Sequence, residues 1–175
     1  MHPFRFSATL AGLVAACGLI LAPAAKASIG ATGATTGTGA TCQPVAPGSN
    51  PKLGFKATGV RNESTTTASF VICPLPSTVT FGSNVFTDVW LQVYSIDGAS
   101  HEVTCTAVTG FLFNFMQYSS KTVTVAGSNQ ATPEWTAADF GGSAGGLIPD
   151  SGSFSVTCAL PPQTLILSIN GWFEY

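Results

Sequence analysis

From about residue 50 onward the chain breaks into short runs in which apolar and polar residues alternate, with glycine, proline, asparagine and aspartate between them. Alternation with a period of two marks a strand with one buried face, because successive β-carbons leave opposite sides of a sheet. The runs are LGFKATGV (53–60), TTTASFVIC (65–73), NVFTDVWLQVYSID (84–97), HEVTCTAV (101–108), FLFNFMQYS (111–119), KTVTVAG (121–127), SFSVTCAL (153–160) and TLILSINGWFEY (164–175). Between 127 and 152 the chain is rich in Gly, Pro and Ala, with short runs around Trp135 and at GLI. No 11-residue window carries a helical stripe. Eight or nine short strands over about 125 residues predict an all-β fold, an antiparallel β-sandwich with the jelly roll among its variants. Asp97-Gly98 between two alternating runs predicts a hairpin.

Two runs share the pattern V-x-C-x-L-P: VICPLP (71–76) and VTCALP (156–161); VTCTAV (103–108) shares its first half. Proline has no N–H for a central ladder, so Leu-Pro ends a strand or leaves it at an edge. Internal duplication is a second reading, but the flanks TTTASF and PDSGSF match only through Ser-Phe.

The chain start reads as a targeting segment. MHPFR is a short basic stretch, an apolar run follows, and AKA at 25–27 has the small-x-small form of a signal-peptidase site. Cleavage is expected between Ala27 and Ser28, making residues 1–27 a signal peptide and the product secreted, periplasmic or displayed at the cell surface. The runner-up is a lipoprotein anchored at Cys17, through VAAC at 14–17; the apolar GLILA after the cysteine speaks against it. Gly12, Gly18 and Pro23 interrupt the run, and no later stretch is long and apolar enough to span a membrane. Residues 28–41, SIGATGATTGTGAT, hold only small residues, save one isoleucine, and no charge; they are expected to form a flexible linker ahead of one domain, 42–175.

Beyond Ala27 four cysteines remain: Cys42, Cys73, Cys105 and Cys158. An even set in an exported chain predicts two disulfides. A metal site is disfavoured, because no pair has C-x-x-C spacing and this part of the chain has one histidine. Cys105 and Cys158 each follow Val-Thr within a run, where facing strands could bring their β-carbons into bridging range. Cys105–Cys158 is therefore the expected pair, which leaves Cys42–Cys73.

Charge excludes one class of partner. Lys52, Lys56, Arg61 and Lys121 stand against eight acids, a net of −4, and four scattered cations cannot neutralise a nucleic-acid backbone. Candidate chemistry is sparse, and no cofactor is implied. GGSAG at 141–145 fits G-x-S-x-G, but a nucleophile elbow needs a strand before it and a helix after it. His101 sits at a strand start, and His101 and Glu102 as strand neighbours point to opposite faces. Asp88 and Asp97 could pair as glycosidase carboxylates, although Asp97 suits the Asp-Gly turn. NES at 62–64 is a glycosylation sequon on an expected loop. Aromatic residues are the better hint: Trp90, Tyr94, Trp135 and Trp172, with Phe173 and Tyr175 beside them. Trp90, Gln92 and Tyr94 share the strand face opposite Val89, Leu91 and Val93, so an aliphatic core side would leave that face toward solvent. Exposed flat rings with polar neighbours suit stacking against sugars; the plainer reading packs them under loops or in a second core layer.

An early Cys42, then Asn62-x-Ser64, Cys73-Pro74-Leu75, Cys105, Cys158-x-Leu160-Pro161-Pro162 and a near-terminal Glu174 together resemble a loose group of small exported bacterial proteins of uncharacterised function. The resemblance implies an exported, disulfide-bonded β-sandwich and supplies no catalytic residues. The leading expectation is thus a non-catalytic exported protein, a surface component or ligand-binding module, with a carbohydrate-binding module as the alternative. A pilus-type subunit and a secreted hydrolase stand behind them. LILSINGWFEY superficially resembles a pilus subunit's last strand, but Pro162 stands near where the usual glycine would be.

Overall fold

The computed structural model describes residues 32–77, 84–110 and 116–174. The expected signal peptide, Cys17 and Tyr175 lie outside the described residues, as do 78–83 and 111–115. Among the described residues, eleven strands run in chain order: β1 (Thr32–Thr38), β2 (Gln43–Pro44), β3 (Leu53–Lys56), β4 (Gly59–Asn62), β5 (Ser69–Leu75), β6 (Phe86–Ser95), β7 (His101–Thr109), β8 (Gln117–Val125), β9 (Glu134–Thr136), β10 (Phe154–Leu160) and β11 (Thr164–Glu174). They form two antiparallel sheets packed as a sandwich. The first has the order β3-β4-β11-β6-β9, with β1 also paired to β11; the second is β2-β5-β10-β7-β8. The core between them draws Val60, Val89, Leu91, Val93, Ile166 and Ile169 from one sheet, and Val71, Val103, Ala107, Val156 and Leu160 from the other.

The repeated V-x-C stretches become neighbours. β5 and β10 pair antiparallel, with Val71 opposite Cys158 and Cys73 opposite Val156. The motif meets its own reverse, and each strand leaves the sheet after its Leu-Pro. Both expected disulfides form on the outer flanks of this central pair: Cys42–Cys73 ties the chain beside β2 to β5, and Cys105–Cys158 ties β7 to β10. All four cysteines are buried. A protein built around two such bridges matures in an oxidising compartment.

Three sequence expectations are corrected. The Asp97-Gly98 turn does not close a hairpin: β6 pairs with β11 and β9, whereas β7 pairs with β10 and β8. The chain crosses between sheets there, because the aliphatic faces of β6 and β7 must oppose each other across the core. Residues 53–60 are not one strand but the start of a hairpin, β3 and β4, turned at Ala57-Thr58 into Gly59 at φ +109°. Residues 28–41 are not simply a linker. β1 forms a full ladder on β11, from Thr32 opposite Glu174 to Thr38 opposite Ser168, and a 3-10 turn covers Gly39–Thr41. Composition counted side chains that bury little; the backbone ladder does the ordering. Glycine is required where the chain approaches β11: a β-carbon on Gly39 would sit 2.0 Å from the Ile166 carbonyl oxygen.

Candidate functional site

β11 is central to the site. It pairs with β6 over its length, but the register slips twice, once between Trp172 and Phe173 and, earlier in β11, between Ile166, opposite Val93, and Ser168, opposite Gln92. Leu167 is therefore the extra residue of a β-bulge. A one-residue slip exchanges the faces of everything that follows. Ile169 and Gly171 turn to the core, and Ser168, Asn170 and Trp172 turn outward. Straight alternation from the buried Ile166 would have sent Trp172 inward. The bulge pushes the Ile166 carbonyl toward Gly39 and Gly59, where a β-carbon at either position would lie 2.0 Å from its oxygen.

The outward face of β9, β6 and β11 then reads in rows. Thr136, Asp88 and Trp172 lie in the first row, Glu134, Trp90 and Asn170 in the second, and Gln92 and Ser168 in the third. Ser168 Oγ donates to Gln92 Oε1 at 2.9 Å, and Asn170 Nδ2 donates to Ser168 Oγ at 2.9 Å, which fixes the floor beside the rings. Trp90 and Trp172, diagonal neighbours on adjacent strands, line an open groove of about 300 Å³ with Asp88, Thr132 and Glu134. Trp172 is half exposed and Trp90 is partly exposed. Asp88 accepts from the Thr87 hydroxyl at 2.8 Å. Among the described residues, the Glu134 carboxylate and the two indole N–H groups have no hydrogen-bond partner, so the groove keeps donors and acceptors for a ligand.

β9 is held in place from behind. Asp139 accepts from the Thr136 backbone N–H at 2.8 Å and pairs with Lys121 at 3.0 Å. Burial pushes the Asp139 carboxyl up, but the Thr136 amide and Lys121 together outweigh it and hold its pKa below the usual value. Trp135 completes the anchor. It faces Val89 across the β6–β9 pair, is fully buried, and donates its indole N–H to the Ser119 carbonyl at 3.1 Å.

Of the four aromatic candidates, Trp90 and Trp172 are brought together. Tyr94 lies on the same strand face, beyond the groove, and donates to Gln130 Oε1 at 2.6 Å. Trp135 is corrected: strand alternation puts it opposite Glu134, in the core, where no ligand reaches it. Phe173 packs against the core. The sequence reading missed Glu134 and Thr132; the only signal for Glu134 was that it flanks a tryptophan that had to point the other way.

The remaining motifs have structural roles. GGSAG follows a 3-10 turn, Ala137–Phe140, and leads into irregular chain, so the strand–turn–helix of an elbow is not formed. His101 is engaged by Asp97 at 2.8 Å, and Asp97 also accepts from the Ala99 amide and the Ser95 hydroxyl. These bonds, His101 first, lower the Asp97 pKa to about 2. The sequon asparagine, Asn62, is fully buried, and its Nδ2 donates to the carbonyls of Thr67, Leu160 and Pro161 at 2.8–3.0 Å. No group of three or more His, Cys, Asp or Glu suited to a metal occurs among the described residues, and none of their helices is long and apolar enough to cross a membrane.

No family model matches the chain, and no curated protein matches its sequence. Among solved structures, it is similar to a family 11 carbohydrate-binding module from Clostridium thermocellum, solved in complex with a β-1,3-1,4-mixed-linked tetrasaccharide. The identity is 16%, the TM-score 0.40, and the match covers 80% of this chain and 87% of that one. A solution structure of CtCBM11 matches at 13% identity and a TM-score of 0.33, covering 82% and 86% of the two chains.

Proposed function

We propose that this is an exported, non-catalytic module that binds carbohydrate on the outward face of β6, β9 and β11. The observation that carries the reading is the pair Trp90 and Trp172, turned to one solvent-facing groove beside unpartnered polar groups. The C–H face of a pyranose ring is weakly positive and apolar, and it stacks on the electron-rich face of an indole. The ring hydroxyls then need donors and acceptors at the rim, which Thr132, Glu134 and the indole N–H groups supply. Such a site is shallow and open-ended, as a polymer requires. Export is supported by the two buried bridges.

Affinity-gel electrophoresis against a polysaccharide panel, followed by titration calorimetry, tests this. Retardation by at least one polysaccharide is expected, with Trp172→Ala weakening it about tenfold or more while the melting temperature holds. Failure of every polysaccharide to retard the protein, or undiminished binding by both Trp90→Ala and Trp172→Ala, would sink the reading.

A further inference from the structure

The groove also carries a charge pattern that narrows its ligand, an inference that rests on the carbohydrate reading above. Asp88 and Glu134 both line it, and among the described residues no Lys or Arg does. The described cations are committed elsewhere or lie outside the groove. Lys121 pairs with Asp139, and Lys56 and Arg61 both approach Glu63. Two carboxylates without a nearby counter-charge repel uronate or sulfated sugars and favour a cation. The indole faces favour one as well, because an ammonium over tryptophan is held by the ring quadrupole. Both features act on the same spot, since Asp88 lies directly across from Trp172 and Glu134 directly across from Trp90.

We infer that the groove binds a polysaccharide carrying free amino groups, a glucosamine-type polymer, in preference to neutral or acidic glycans. The sugar ring would stack on the tryptophans while its ammonium meets Glu134 or Asp88. An exposed ion pair contributes little on its own and is screened by salt. The charges therefore set preference among sugars, and stacking sets the underlying affinity.

The probes are chitosan, a neutral β-glucan, polygalacturonate and poly-L-lysine, titrated into the intact protein at low and high salt. Chitosan is expected to bind most tightly, with polygalacturonate excluded and the margin over the neutral glucan shrinking at high salt. In an Asp88→Asn/Glu134→Gln double variant, the ratio of chitosan to neutral-glucan affinity should fall about three- to tenfold. Glu134→Gln alone gives part of that fall should the double variant fold poorly. A neutral glucan bound as tightly as chitosan, or a ratio unchanged in the variants, overturns the amino-sugar inference and leaves the carbohydrate reading standing. Poly-L-lysine bound as well as chitosan also overturns the inference, since charge alone would then account for it. Failure of every glycan overturns both.

Discussion

The most exacting test of the fold is Asn62. This one side chain joins three segments. Its Nδ2 donates to the carbonyls of Thr67, Leu160 and Pro161, while its Oδ1 accepts from Asn50 Nδ2 at 2.9 Å and from the Ser64 amide at 3.2 Å. Asn62→Ala removes all of these. Pro161 O keeps the Thr164 hydroxyl at 2.7 Å, and Asn50 keeps Ser69 at 2.7 Å. The Ser64 amide loses its side-chain acceptor, and the Thr67 carbonyl keeps only a long contact to Asn50 at 3.4 Å. The buried Ser64 amide left without a partner costs about 1–3 kcal/mol and the part-buried Thr67 carbonyl less, so the expected loss is about 1–4 kcal/mol. Against a net stability of ~5–15 kcal/mol this is severe, and it should lower the melting temperature by on the order of 10 °C. Asn62→Asp sharpens the test. It sets a carboxylate against carbonyl oxygens, so the folded-state pKa of that group rises above the unfolded value of about 3.9. Relative to wild type, the variant's stability is then highest below that unfolded pKa, falls as pH rises through the folded pKa, and levels off above it. Thermal melts across pH measure both effects. A loss under ~0.5 kcal/mol for Asn62→Ala, or an Asn62→Asp penalty that ignores pH, would refute the latch.

The same burial predicts that Asn62 stays unmodified in a host that glycosylates sequons, which intact-mass spectrometry checks. Asp97, with its pKa lowered to about 2, contributes stability above its unfolded pKa and loses it as pH falls toward 2; NMR titration should show the low midpoint, and Asp97→Asn should remove that part of the acid sensitivity. Gly59→Ala places a β-carbon 2.0 Å from the Ile166 oxygen at a backbone φ of +109°; a loss of at least ~1–3 kcal/mol is expected by denaturant titration. The Cys105–Cys158 bridge spans 53 residues and Cys42–Cys73 spans 31, so chain entropy makes the loss from Cys158→Ser only about 0.5 kcal/mol larger than that from Cys42→Ser; a gap of several kcal/mol in paired melts would show that native-state packing dominates.

What the sequence made legible was whatever depends on local alternation. Val89, Leu91 and Val93 had to face one way and Trp90, Gln92 and Tyr94 the other, and they do. Half-cystine strands ending at Leu-Pro were legible for the same reason. Features that depend on partners were not. Asp97-Gly98 carries the chemistry of a hairpin turn, but its flanking strands found better partners in β11 and β10, and nothing local encodes that. The strand at Thr32–Thr38 was invisible because its value lies in β11's open edge rather than in its own side chains. Trp135 was misjudged because its run was too short to show which face was buried, and the bulge at Leu167 left no mark in the alternation.

That bulge explains why the proposed carbohydrate binding and the stability of the fold should be separable in this molecule. Both disulfides lie in the sheet of β2, β5, β10, β7 and β8, whereas the tryptophan groove lies on the other sheet, facing away from the core. The cross-links therefore hold the sandwich without touching the groove. What the groove requires of the fold is narrower: a single extra residue in β11 that turns Trp172 outward, with Gly39 and Gly59 giving the displaced Ile166 carbonyl room. Large side chains at either glycine would press on the bulge before they pressed on the core. Damage there should weaken binding along with stability, whereas loss of a disulfide should lower stability and leave the affinity of the surviving folded protein unchanged.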